Sequence, residues 1–215
     1  MAQNGSEFHF KTKFDQTILL GKKAKSVSEL LENIKSVPDS SIYFHTHKFL
    51  QQHHYLSPEP PNDFAYWVST VLSEDALGES LSSIDVIRFR RISDLRQSIA
   101  EVIEKFLSSA TRNVEAAQGE EFYFMALKIF VLPTPYTAHT LTDFKNFLKL
   151  VSIQSLYYHI FDSRLRLEQE ENDFSIFFRK LGHERLAEDI LMLDPYTHTL
   201  EGLRQKVLTL VDQHD

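Results

Sequence analysis

Four of the ten histidines crowd into one stretch, SIYFHTHKFLQQHH, at residues 41–54. Imidazoles gathered in this way suggest a transition-metal site or proton-transfer chemistry near neutral pH. Helical geometry limits what they can do together. On an α-helix His45 and His47 point about 200° apart and cannot chelate one ion. His47 and His54 share a face but lie about 10 Å apart along the axis, too far for bonds of about 2.0–2.1 Å. The i, i+4 histidine pair of helical zinc motifs is also missing. A metal centre would therefore need distant ligands such as Asp63 or Glu59. Its set would be His45, His47, His54 and Asp63, and its cofactor a divalent transition metal.

A second reading gives the histidine a bracing role. His45 falls on the helix face of Ile42 and Phe49, so a buried imidazole there needs a hydrogen-bond partner. The corner Asn62-Asp63 supplies one, and His159 has the same relation to Asn172-Asp173. A Tyr-x-His element, Tyr43 with His45 and Tyr157 with His159, would then pin one helix to the capped start of the next. Elsewhere Arg88, Arg90 and Arg91 surround Phe89 and could grip an acidic partner or a phosphate, or simply form a solvated face. LLGKKAKS lacks the leading glycine of a phosphate loop, with Gln16 in its place. No spacing joins a nucleophile to a base.

The elements that would position these residues are written twice. EFHFKTKFDQTILLGKKAKSVSELLENIKSVPDSSIYFH, from Glu7, lies without a gap over EFYFMALKIFVLPTPYTAHTLTDFKNFLKLVSIQSLYYH, from Glu121. Phe8 meets Phe122, Phe10 meets Phe124, Ala24 meets Ala138, and His45 meets His159. Farther on, NDFAYWV at Asn62 matches NDFSIFF at Asn172, and Leu95-Arg96-Gln97 matches Leu203-Arg204-Gln205. Two copies of one unit explain this order and spacing. The seam is the small, polar SSATRNVEAAQGE, so the sequence predicts units over residues 1–112 and 113–215, packed as one compact domain.

Within each unit the helix signals are local. Ser26-x-x-Glu29 is a capping box and Thr140-x-x-Asp143 a weaker one. Asn62 and Asn172 cap the helices that carry Phe64, Trp67 and Val68, or Phe174, Phe177 and Phe178, on one face. A short helix follows each, and a last one starts near Ser93 or Thr199. FHFKTKF alternates like a strand, whereas FYFMALKIFVL is apolar throughout, so the aromatic-rich lead-in segments fit either helix or strand.

Composition narrows the class. The 215 residues are 42% hydrophobic, enough for a sizeable core, with seventeen Phe and only six Gly. A net charge of −7 argues against general nucleic-acid binding. The absence of cysteine excludes disulfides, thiolate zinc sites and a Cys nucleophile, and fits a reducing compartment. No apolar run is long enough for a membrane span and the N-terminal segment lacks a signal-peptide core, so a cytoplasmic location is expected.

The motifs SIYFHTHKFL…NDFAYW and SLYYHIFDSRLRL…NDFSIFF…LAEDILMLDPYTHTLEGLR resemble an uncharacterised bacterial family, domain of unknown function 5752, present here as two tandem copies. The second half carries the family's VLPT and LDPYTHTLEGLR; the first has ILLG at the former place and no Asp-Pro-Tyr. The resemblance implies an architecture and no activity.

The sequence therefore predicts a mainly α protein of two tandem pseudo-symmetric helical repeats, each of about four helices after its lead-in segment. Its leading function is a non-catalytic binding or adaptor module acting through the inter-repeat groove, without a cofactor. Its binding candidates are Tyr43, His45, Asp63, Tyr157, His159, Asp173, Arg88 and Arg90, and its partner is a protein or a small acidic ligand. The alternative is a metal-dependent enzyme built on the His45 region. The oligomeric state is open.

Overall fold

A computed structural model describes residues 7–48, 62–109, 114–194 and 198–214. The lead-in segments are strands, β1 (Phe8–Ala24) and β2 (Phe122–Ala138), 17 residues each, paired antiparallel in a two-stranded sheet. This corrects the expectation of a mainly α protein made of helical repeats. The aromatic and β-branched side chains of the two segments suit a pleated surface. The unbroken apolar run of β2 hid this, because a strand buried or bare on both faces shows no period.

Among the described residues the α-helices after β1 are α1 (Val27–Ser36), α2 (Asp39–Tyr43), α3 (Asp63–Thr70), α4 (Asp75–Ser82) and α5 (Ile92–Ser109). Those after β2 are α6 (Leu141–Leu148), α7 (Ile153–Tyr157), α8 (Ser163–Leu167), α9 (Asp173–Lys180), α10 (Glu184–Leu191) and α11 (Leu200–His214). Side-chain caps set their starts. Ser26 Oγ accepts from the Glu29 amide and Thr140 Oγ1 from that of Asp143. Asn62 Oδ1 accepts from Ala65 N, and Asn172 and Ser175 close a reciprocal capping box. The two Leu-Arg-Gln triplets have a related task at helix ends. Arg204 donates to the carbonyls of Leu148 and Val151, both at 2.7 Å, and Arg96 donates to that of Ile34, so each guanidinium satisfies carbonyls left over at the end of α6 or α1.

The described residues form two compact units. One holds α6 to α11 with residues 8–14 of β1 and 129–138 of β2; the other holds α1 to α5 with residues 15–24 of β1 and 122–128 of β2. The units therefore do not coincide with the sequence halves 1–112 and 113–215, because the beginning of each strand joins the helices of the other half.

Each unit has an aromatic core closed by a strand. In the unit of α6 to α11, Phe8 and Phe10 are buried against Phe144 and Phe174, with ring centroids 4.8–6.3 Å apart. In the unit of α1 to α5, Phe122 lies 5.3 Å from Phe64 and 5.7 Å from Trp67, whose indole N–H donates to the Glu120 carbonyl at 2.8 Å. Edge-to-face pairs dominate the first of these cores, as aromatic quadrupoles favour, whereas in the second the edge-to-face rings of Phe122 with Trp67 and Phe124 share the core with tilted pairs to Phe64.

Candidate functional site

The histidine stretch is not one α-helix. After Tyr43 the chain runs through a π-helical turn, Phe44–Lys48, and after Tyr157 through another, Tyr158–Asp162. Such wide turns are rare and often mark functional positions. Each one holds a buried histidine, His45 or His159, both 2% exposed.

His159 Nδ1 lies 2.7 Å from Asp173 Oδ2, and its Nε2 accepts the backbone N–H of Lys11 in β1 at 2.8 Å. His45 makes the same pair of contacts, with Nδ1 2.8 Å from Asp63 Oδ2 and Nε2 3.0 Å from Met125 N in β2. An acceptor facing a backbone N–H carries no proton, so the proton sits on Nδ1 and points at the carboxylate. Asp63 and Asp173 are the first residues of α3 and α9, where a carboxylate also favours the helix dipole. Each imidazole thus ties a π turn, a helix start and a strand edge together.

This geometry accounts for the pairing of His45 with the Asn62-Asp63 corner and of His159 with its counterpart. It also bears on the metal alternative. His45 has no lone pair to offer without releasing Met125, and its other nitrogen is held by Asp63. His47 is buried with its ring stacked on Tyr43, centroids 4.9 Å apart, and its Nδ1 lies 2.9 Å from Thr46 Oγ1. That hydroxyl donates to the Ile42 carbonyl, so His47 donates to it. His54 and Glu59 lie outside the described residues. Among the described residues no three His, Asp or Glu side chains are grouped to hold a metal.

Other candidates disperse. Tyr157 is fully buried, with Lys13 Nζ 5.0 Å from its ring centroid, and Lys13 also pairs with Asp162 at 2.6 Å. Arg88 is 84% exposed and paired with Asp85, and Arg90 is exposed, so neither joins a histidine.

A feature that sequence reasoning missed lies beside His159. Within the unit of α6 to α11, a cleft of about 230 Å³ is lined by Glu7, Phe8, His9, Lys11, Tyr158, His159, Asp173, Ile176, Phe177 and Lys180. Its floor is aromatic and its polar groups are mixed. Both carboxylates are engaged by imidazoles, Asp173 by His159 and Glu7 by His9 at 3.3 Å. The signal was in the sequence: position 177 is Phe where the other copy has the larger Trp67, and Lys11 and Lys180 stand where their counterparts in the other copy are Met125 and Thr70.

Fixed charges near the corresponding strand start of the other unit are also tuned. The Glu121 carboxyl is lowered to about 2, first by its own backbone N–H, then by the Lys23 ammonium and the Gly119 N–H. Lys23 is raised in return, chiefly by its hydrogen bond to Glu121. In the unit of α6 to α11, Asp143 is lowered, first by the backbone N–H of His139.

With this geometry in hand, comparison with known proteins gives a family. Residues 5–212 match DUF5752, described as a family of unknown function. The chain belongs to the DUF5752 family. A single match spans both histidine sites, so DUF5752 corresponds to nearly the whole chain. A solved structure, that of OrfY from Thermoproteus tenax, is similar over 98% of this chain and 96% of that one, with a TM-score of 0.81 and 26% identity. No protein with a curated description matches. Among the described residues no helix is long and apolar enough to cross a membrane.

Proposed function

We propose that this DUF5752 protein is a non-catalytic binding module that seats a small acidic ligand in the cleft beside His159. The observation that carries this reading is one cleft lined by Phe8, Tyr158 and Phe177 together with two lysines, Lys11 and Lys180. An anionic group would meet the ammonium groups and an apolar body would rest on Phe8, Tyr158 and Phe177, the usual division of labour in small-molecule sites. His159 serves as part of the wall, because both its nitrogens are spent on the fold. We also infer that the chain arose by duplication, since the His45, Asp63 and Met125 set has the same chemistry as His159, Asp173 and Lys11.

Calorimetric titration with a panel of small aromatic and aliphatic carboxylates and phosphates tests the reading. Saturable binding is expected for at least one class, weakened about tenfold by Lys180→Ala, the scale of one charge-assisted contact. Phe177→Trp should abolish it by filling the cleft. No binding across the panel, or chemical turnover of the bound compound, would overturn the proposal.

A further inference from the structure

The cleft beside His159 carries both signs of charge. Lys11 and Lys180 line it together with Glu7 and Asp173. A neutral imidazole shares a proton with a carboxylate and leaves its charge in place. His159 accepts the Lys11 N–H through Nε2 and points its one proton at Asp173, so the ring is neutral and Asp173 keeps its negative charge. With neutral imidazoles the formal charges of the cleft therefore cancel, two ammonium groups against two carboxylates. A ligand that is only anionic gains the lysines and meets the carboxylates as well, whereas a ligand of both signs avoids that conflict.

The other copy shows what a positive group does there. Glu7 corresponds to Glu121, whose buried carboxylate receives the Lys23 ammonium at 3.1 Å. The residue that corresponds to Lys23 is Thr137, which has no charge to offer. Its hydroxyl lies 3.1 Å from His9 Nδ1, and Glu7 faces two imidazoles instead, His9 Nε2 at 3.3 Å and His139 Nδ1 at 4.0 Å. Both distances exceed the roughly 2.7–2.9 Å of a charge-assisted hydrogen bond. The Glu7 side chain is 52% exposed, and a carboxylate accepts about four donors, so it has room for an ammonium group. One unit thus keeps an internal cation on this glutamate, while the unit with the cleft has lost that cation and gained Lys11 and Lys180.

We propose that the ligand of this cleft is a free amino acid with an apolar side chain. The inference rests on the binding reading above and names its ligand: the acidic group is a carboxylate, and an ammonium group accompanies it. The ligand ammonium takes on Glu7 the part that Lys23 takes on Glu121. Its carboxylate meets Lys11 and Lys180, and its side chain rests on Phe8 and Phe177. Every charge then has an opposite neighbour, which a phosphate, negative throughout, does not achieve. Size agrees with the chemistry. A volume of about 230 Å³ lies below the roughly 300–1,000 Å³ of sites for drug-sized molecules, and suits a single amino acid better than a nucleotide.

Calorimetric titration of the intact chain with compounds of one skeleton provides the test: L-phenylalanine, 3-phenylpropanoate, which lacks the ammonium, and 2-phenylethylamine, which lacks the carboxylate. L-phenylalanine should bind saturably and each of the others at least about tenfold more weakly, the scale of one charge-assisted contact. Glu7→Gln keeps the size of an exposed side chain, and circular dichroism shows that the variant is folded. It should bring L-phenylalanine and 3-phenylpropanoate to within about threefold of each other, because the preference depends on that carboxylate. Equal binding of the two compounds by the wild type, or a preference that survives Glu7→Gln, would overturn the inference and leave the binding reading standing. So would a carboxylate or phosphate that binds where L-phenylalanine, L-leucine and L-valine do not. No binding by any compound of either panel would overturn both.

Discussion

Replacing His159 by alanine is the sharpest probe of the bracing role. The substitution takes away the acceptor of the Lys11 N–H, 2.8 Å from Nε2, and the donor that faces Asp173. A buried amide left without a partner costs about 1–3 kcal/mol. The imidazole also packs 4.9 Å from Phe8 and 5.7 Å from Phe174, and the cavity it would leave adds about 2 kcal/mol. The local opening of the β1 start should therefore become easier by about 3–5 kcal/mol. Amide exchange measured residue by residue is the suitable assay, because two compact units need not unfold together. The Lys11 amide should be protected in the wild type although its acceptor is a side chain, and should exchange about 150-fold to 5,000-fold faster in His159→Ala. His9→Ala, at an exposed position of the same strand, should change it little. Equal exchange of the Lys11 amide in wild type and His159→Ala would refute the reasoning.

Two further outcomes follow from the same structure. The folded Glu121 carboxyl sits at about 2 against an ordinary value of 4.5, so its contribution to stability is complete above 4.5 and is lost as pH falls towards 2. Glu121→Gln should flatten the pH dependence of the urea midpoint in that window and leave it unchanged in slope near neutrality. Asn172→Ala breaks the cap of α9, where Oδ1 accepts from Ser175 N at 2.9 Å, and should cost about 1 kcal/mol in chemical denaturation. Ser175→Ala removes the acceptor of the Asn172 N–H, and the double variant should lose less than the sum of the two single variants if the box acts as one unit.

The features legible in the sequence are the ones fixed by near neighbours. Ser26, Asn62, Thr140 and Asn172 cap helices because a side-chain oxygen reaches an amide three residues on, and that reach depends on nothing distant. The His-Asp corner was legible for a different reason: two copies of Tyr-x-His followed by Asn-Asp-Phe point to one pairing. The strand that completes each corner was hidden. Lys11 and Met125 contribute only backbone, and no side-chain pattern announces which amide an imidazole will take. The π turns were equally silent, since one inserted residue in a helix leaves hydrophobic spacing almost unaltered over five positions. The cleft depends on Phe177 being smaller than its counterpart Trp67, a difference that acquires meaning only beside Phe8.

The exchange of strand beginnings between the two halves has a consequence for synthesis. Helices α1 to α5 leave the ribosome before Phe122 and Phe124, the rings that close their core, have been made. Phe8 and Phe10 wait longer still, because Phe144, Phe174 and Phe177 lie far downstream. Neither core can be finished in the order in which it is translated. A nascent chain stalled ahead of β2 holds α1 to α5 around an open aromatic socket and a strand whose hydrophobic start has no destination. Such a chain is a natural client for a chaperone until the second half arrives.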